Sequence, residues 1–420
     1  MSCSNEGYKY DHFGITKGLR TDAVVPSSPN PVQGLENNLK ASAGTTDMQY
    51  VLYKPKGSSV RMITDVAAYN AKISDIAERF FSIDGMTPRQ LMPYPHEPHR
   101  PQPWHSYDHL SCQDRLNQLD LPQEDKDLFI PHPNSFGSSV ATHLAWTDAL
   151  RWYAAGGYSF ATMYDAVGCF KLGGGGTTNL CRHILAEYQG DRLLNKVVTS
   201  VKENKGSEVT VSCTDGSIYR AQRVVCTIPL NCLGDISFDP PLSPSKQQAA
   251  QEGHINRGEK YLFSMDEVQG NWFANTCDSK DSAFLFGIKD HDGTPSVNRA
   301  GTYAMMFGQN GKLQDPTQSG EVITEFKKLQ PEGNVRGYVS HTWSTDPFAK
   351  GAWLAAAPGW ATNNLKTLQE PHGRVFMASA DWALGWRGFI DGAIEQGTRA
   401  AAITKLALEQ ENGNLTAKFW

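Results

Sequence analysis

An α/β protein of two interleaved domains is what this chain predicts, and three observations point there. Amphipathic helical segments fill residues 61–170. Two separate clusters of strands follow, and a buried strand running into a Gly-rich helix closes the chain at 374–401. Strands that recur after intervening helices indicate domains assembled from discontinuous pieces, not two consecutive ones.

Bulk properties narrow the functional classes. A chain of 420 residues can bury more than one core. Apolar residues make up 40% and charged residues 20%, the balance of a soluble globular protein. The net charge of −5 argues against a nucleic-acid partner. Met1–Phe13 is polar and lacks the apolar stretch of a signal peptide, and no run approaches the ~20 apolar residues of a membrane span. Eight scattered cysteines without a C-x-x-C pair suggest reduced thiols and a cytoplasmic location. The sequon at Asn414 carries no weight without a secretory signal.

Residues 1–60 read as an irregular arm, rich in Pro, Ser, Asn and Gly. From Ile63 to Ile83, Val66, Tyr69, Ile73, Ile76, Phe80 and Phe81 recur at helical spacing. A Pro-rich connector follows, Pro93 to His105. Its histidines, with His109, raise the question of a metal: His96, His99, His105 and His109. Prolines hold that backbone extended and no carboxylate or Cys completes a ligand set, so a loop is expected and no metal. Ser111 and Asp114 form a capping-box pattern opening a helix to Leu119. Further helices span 122–170, with Trp146, Leu150, Tyr153 and Ala154 on one face and their aromatics read as core.

The run Gly173–Gly176 before a helix resembles a phosphate cradle, but no Lys follows it and it is not G-x-G-x-x-G. Capping by Thr177 or Thr178 is the better reading. Strands are expected at 194–201, 209–213, 218–220 and 223–229, with Asp215-Gly216 as a hairpin turn of the primed type. Pro229 stops the last of these. Then come a helix to about Glu252, strands near 260–265, 283–287 and 303–307, a helix at 321–329 and a strand at 337–343. In the closing stretch, Gly388, Gly392 and Gly397 suggest a helix face with no room for Cβ atoms, and Asp381 stands where the strand ends.

These motifs together resemble the flavin-dependent amine oxidase family. The resemblance rests on Arg223-Val224-Val225-Cys226-Thr227-Ile228-Pro229-Leu230, Phe238-Asp239-Pro240-Pro241-Leu242, Asp346-Pro347-Phe348-Ala349-Lys350-Gly351-Ala352-Trp353 and Asp381-Trp382-Ala383-Leu384-Gly385-Trp386-Arg387. It is nearest to the fungal monoamine oxidases of the N type and covers roughly residues 60–410, with the short arm Gly7 to Pro29.

The resemblance implies a non-covalent FAD, a small-molecule amine substrate and O2 as partners, and oxidation of the amine to an imine with release of H2O2. By position it places Lys260 at a water near the flavin, and Trp353 and Phe389 as aromatic walls guiding the amine. Val198 falls near the adenine. Ser379, Asp381, Phe389 and Ile390 fall on the flavin-facing segment, with Asp381 at the ribityl or phosphate part. Aromatic walls suit this chemistry, since they orient an amine without donating a proton. A homo-oligomer is left open.

One departure matters. The family's opening strand, G-x-G-x-x-G turn and helix are expected after the arm, yet the chain passes from Pro29-Asn30-Pro31 to Leu35-Glu36-Asn37 without them. The expected architecture is therefore an interleaved two-domain flavin amine oxidase-like fold. Its FAD-binding, Rossmann-like domain is incomplete and its substrate domain is α+β. By residue number, the arm (1–60) carries the apparent deletion, 61–170 is the helical part of the substrate domain, and 171–235 belongs to the FAD-binding domain. Residues 236–340 supply the substrate-domain sheet, 341–410 return to the FAD-binding domain, and 411–420 form a tail. Losing the nucleotide unit would expose the strands near Val225 and Val375. Three accounts stay open: a mis-spliced or mis-predicted product, a gap closed from residues 35–62 with Tyr50-Val51-Leu52-Tyr53 as replacement strand, or a flavin-free protein reusing the aromatic cavity.

Overall fold

The computed structural model describes residues 48–168, 176–204, 208–293, 300–309, 312–313 and 315–411. The glycine run before Gly176, the arm before residue 48 and the sequon at Asn414 lie outside them.

Strands β1 (Tyr50–Lys54) and β2 (Arg61–Ile63) come first. Helix α1 (Val66–Phe81) begins where Asp65 accepts the amide of Ala68 at 2.9 Å. It buries Tyr69, Ile73, Ile76 and Phe80, the stripe its spacing requires. Helix α2 (Pro88–Leu91) leads into the Pro-rich connector, where His105 is bound by the carbonyls of Gln102 and Pro98 and His99 by Gln369. Helix α3 (Cys112–Asn117) opens on a reciprocal capping box between Ser111 and Asp114. Helices α4 (Gln123–Phe129), α5 (Pro131–Gly137), α6 (Trp146–Ala155) and α7 (Phe160–Gly168) complete the helical layer. Helix α8 runs Gly176–Ala186, which puts Thr177 and Thr178 inside its first turn and not at a cap.

Strands β3 (Val198–Glu203), β4 (Val209–Cys213) and β5 (Ile218–Ala221) form a meander, joined on its other edge by β7 (Ser237–Asp239). The β4–β5 turn differs from the primed type expected. Only Gly216 has a positive φ, +81°, and its amide bonds the carbonyl of Cys213, so a common turn is followed by a glycine bulge. Among the described residues, strand β6 (Val224–Cys226) pairs only with β13 (Val375–Met377), in parallel. Val375 is buried, but Val225 is 41% exposed at the edge of this two-stranded sheet. Exposure was expected at both.

The main sheet has seven strands in the order β12-β8-β11-β10-β9-β1-β2. Its remaining members are β8 (Gly258–Met265), β9 (Trp272–Thr276), β10 (Phe284–His291), β11 (Tyr303–Gln309) and β12 (Val335–His341). Tyr50–Tyr53 does form a strand, contrary to a fully irregular arm. It lies parallel to β9 in this sheet and does not replace a strand beside β6. Helices α9 (Leu230–Leu233), α10 (Pro244–Glu252), α11 (Ser319–Lys327), α12 (Trp360–Gln369) and α13 (Ile390–Glu411) pack around the sheets. Three apolar clusters result: one among the helices, one around β6 and β13, and one behind the main sheet centred on Phe263, Phe284 and Phe326.

Candidate active site

Side chains of the main sheet alternate between its two faces. One face carries Lys260 on β8, Met305 and Phe307 on β11, Phe286 and Ile288 on β10, and Phe273 on β9. This face is the floor of a cavity of about 520 Å³. The roof comes from α1, α5, α6 and α7, and Trp353, Gly388 and Phe389 close one side.

Three of the residues marked in the sequence meet here: Lys260, Trp353 and Phe389. The Lys260 ammonium lies 5.5 Å from the centre of the Phe307 ring. Trp353 stands edge-on to that ring at 5.9 Å, and its indole N–H donates to the Phe136 carbonyl at 2.6 Å, which fixes the ring plane. Phe389 is held edge-on between Trp152 at 4.8 Å and Trp386 at 5.1 Å.

The aromatic loop before α13 is held by charge. Glu395 accepts the amides of Leu384 and Gly385 at 2.8 and 3.0 Å. Arg151 pairs with Asp148 at 2.9 Å and donates to the Gly385 carbonyl. Burial, and secondarily the charge of Arg151, pushes the Arg387 guanidinium down to about 9. Gly388 adopts φ +81°, and a Cβ there would lie 3.1 Å from the Leu354 amide nitrogen. Gly392 is also closed to a Cβ, by the Trp386 carbonyl, whereas Gly397 faces open space and does not belong to the tight face expected of it.

The other marked residues do not line the cavity. Ser379 caps a short 3-10 helix, Ala380–Trp382, by accepting the Asp381 amide. Asp381 is buried and accepts the Leu230 amide at 2.8 Å. Ile390 opens α13 and is 41% exposed. Val198 pairs with Cys213 at the start of β3.

The residues that sequence reasoning missed are polar. His132 sits between two tyrosines, its Nε2 3.0 Å from the Tyr69 hydroxyl and its Nδ1 2.8 Å from that of Tyr164. Burial lowers its pKa to about 3, so the imidazole is neutral. The sequence singles out the connector histidines instead. The available signal was helical spacing: Tyr69/Ile73, His132/Phe136 and Phe160/Tyr164 are i, i+4 pairs that put each polar ring on the face of an apolar one. Among the described residues no group of three metal-ligating side chains gathers, and no helix is long and apolar enough to cross a membrane.

The family model for flavin containing amine oxidoreductases matches residues 23–403. The chain belongs to that family. Pseudooxynicotine dehydrogenase from a Pseudomonas species is 32% identical over 308 residues, 73% of this chain and 60% of that protein. Nicotine dehydrogenase from Pseudomonas putida is 28% identical over 319 residues, 76% and 64% of the two chains. This flavin amine oxidoreductase chain thus spans about three-fifths of the length of these relatives. Its fold matches cyclohexylamine oxidase from Brevibacterium oxydans with a TM-score of 0.70 at 16% identity, covering 89% of this chain and 82% of that one. It also matches putrescine oxidase with a TM-score of 0.68 at 17% identity, covering 89% and 85%. The family is one of FAD proteins, as the resemblance implied.

The described residues offer a place for a flat redox ring, the aromatic-lined cavity walled by Trp353 and Phe389. They do not offer the usual grip on a dinucleotide, and no G-x-G-x-x-G occurs anywhere in the sequence.

Proposed function

We propose that this chain is an FAD-dependent amine oxidase that converts a primary or secondary amine to an imine, with O2 reduced to H2O2. The observation that carries the reading is the convergence of Lys260, Trp353 and Phe389 on one apolar cavity. When bound, FAD supplies the redox chemistry, taking two electrons from the amine carbon. The chain's own residues bind and orient. Trp353, held by the Phe136 carbonyl, and Phe389, held between two tryptophans, give the amine two rigid ring surfaces. Their faces attract positive character on nitrogen and donate no proton. The ring-lined walls keep bulk water out, and Lys260 is a donor that can hold one water at the reacting end. Val198, Ser379, Asp381 and Ile390 remain candidates for the cofactor's surroundings, and the nearness to fungal N-type oxidases, a role in secondary metabolism and a cytoplasmic location belong to the same reading.

The missing glycine turn favours a second reading: a protein of this fold that holds no flavin and uses the cavity for binding or non-redox chemistry. The exposed edge at Val225 supports it. A visible-range spectrum of the purified protein, before and after adding FAD, separates the two. Flavin absorbance that stays with the protein through gel filtration, and bleaching by amines without oxygen, are expected of the oxidase. Absence of both overturns it. With flavin held, Lys260→Met is expected to slow H2O2 formation while leaving amine affinity unchanged; equal rates would remove Lys260 from the reacting end.

A further inference from the structure

Lys260, Phe307, Phe286 and Asn275 are cross-strand partners in a single row. At about 4.8 Å per strand, the backbones of Lys260 and Asn275 stand roughly 14 Å apart. Lys260 and Trp353 mark one end of the cavity. The Tyr69–His132–Tyr164 relay marks the other, with His132 stacked on Phe273 at 6.0 Å. Beside these three rings the β9 end of the cavity is lined by Asn271, Trp272 and Phe273.

A neutral imidazole has one N–H and one lone pair. It can therefore accept from one tyrosine and donate to the other. The tyrosine that accepts keeps a hydroxyl proton that the relay does not use. Each tyrosine also has a polar neighbour, Asn275 beside Tyr69 and Ser135 beside Tyr164, and neither amide atom of the fully buried Asn275 is satisfied by a partner in hydrogen-bonding geometry. All three relay rings line the cavity. The relay is thus polar and uncharged, and Asn275 beside it carries unused hydrogen-bonding capacity.

We propose that the Tyr69–His132–Tyr164 relay is a specificity site that takes an uncharged hydrogen-bonding group, a hydroxyl or carbonyl, carried at the far end of the substrate amine. This rests on the reading of the cavity as an amine site. An ionised tail would lose its water among neutral groups with no opposite charge in the relay to compensate. Among the described residues the far part of the cavity wall holds one carboxylate, Asp290, and one ammonium, Lys289, itself paired with Asp292 at 2.7 Å; both follow Ile288 on β10 and stand outside the relay. A second amine on the substrate would choose Asp290 and not the relay.

Anaerobic calorimetric titration of the purified protein, with any flavin reduced beforehand by dithionite, with octylamine, 8-amino-1-octanol and 1,8-diaminooctane tests this without turnover. The amino alcohol is expected to bind at least as tightly as octylamine, despite the greater cost of drying its hydroxyl. Tyr69→Phe with Tyr164→Phe, which removes two oxygens and keeps both rings, is expected to weaken the amino alcohol about tenfold and to leave octylamine within about twofold. Equal loss for both ligands would mark a purely structural role and overturn the proposal, as would an unchanged ratio. Tightest binding by the diamine would assign the far end to Asp290 and also overturn it. Binding of none of the three would remove the amine reading of the cavity itself. Single Tyr69→Phe and Tyr164→Phe variants keep the test open should the double variant fail to fold.

Discussion

The backbone amide of Leu230 donates a 2.8 Å hydrogen bond to Oδ2 of Asp381. Leu230 follows the strand Val224–Cys226, and Asp381 follows the strand Val375–Met377. The bond ties together the two chain segments that leave this parallel pair. One carboxylate oxygen is thereby committed to backbone, in a buried setting. Asp381→Ala orphans that N–H and is expected to cost about 2 kcal/mol in urea unfolding, while Asp381→Asn, which keeps an acceptor, costs less.

Asp148 is the hub of the charges beneath the aromatic loop. Its Oδ1 accepts two bonds from Arg151 and its Oδ2 accepts the Ala356 amide at 3.1 Å. Asp148→Ala leaves Arg151 buried beside Arg387 without its carboxylate. A loss of about 3–5 kcal/mol is expected, seen as a failure to accumulate folded protein. The exposed pair Lys202–Asp239 is the control: Asp239→Ala should change the urea midpoint little.

Gly388→Ala is expected to destabilise by about 1–3 kcal/mol, because an L side chain is strained at φ +81° and would press on the Leu354 backbone. Since Phe389 is the next residue, amine binding should weaken too. Thermal unfolding and ligand titration of the same variant measure both effects.

Two buried histidines set an acid limit. Burial lowers His132 from 6.5 to about 3 and His254 from 6.5 to about 4. Both are neutral in the fold and take up protons in the unfolded chain below 6.5. Their contribution is therefore fully present above pH 6.5 and is lost as pH falls from there toward 4. Each adds a slope of up to about 1.4 kcal/mol per pH unit in that window. Urea midpoints between pH 7 and 5 should fall accordingly, and His132→Asn should fall less steeply.

Much of the architecture was legible because it depends on local rules. The stripe from Tyr69 to Phe80 and the Ser111–Asp114 box formed where their residue types required, whereas the strand expected over 223–229 ends at Cys226, before Pro229 can stop it. Family resemblance marks Lys260, Trp353 and Phe389, and these three line one cavity. What was missed depends on partners distant in sequence. Tyr50–Lys54 has no turn or period to distinguish its sheet; its place was decided by pairing with Trp272–Thr276, more than two hundred residues away. The Gly397 position was read as crowded, but crowding is a property of whatever packs opposite.

The chain's order of residues, taken alone, specifies the helices, most strands, the flavin amine oxidoreductase kinship and the lack of a G-x-G-x-x-G turn. These follow from spacing, caps and motif identity, which are written within a few residues. Only the tertiary structure decided that His132, and not the connector histidines, faces the cavity. It also decided that Asp381 holds Leu230. Burial removes the charge of His132, and packing brings a tyrosine 63 positions before it and another 32 positions after it within hydrogen-bonding distance. No local pattern encodes a dielectric environment or a contact of that length.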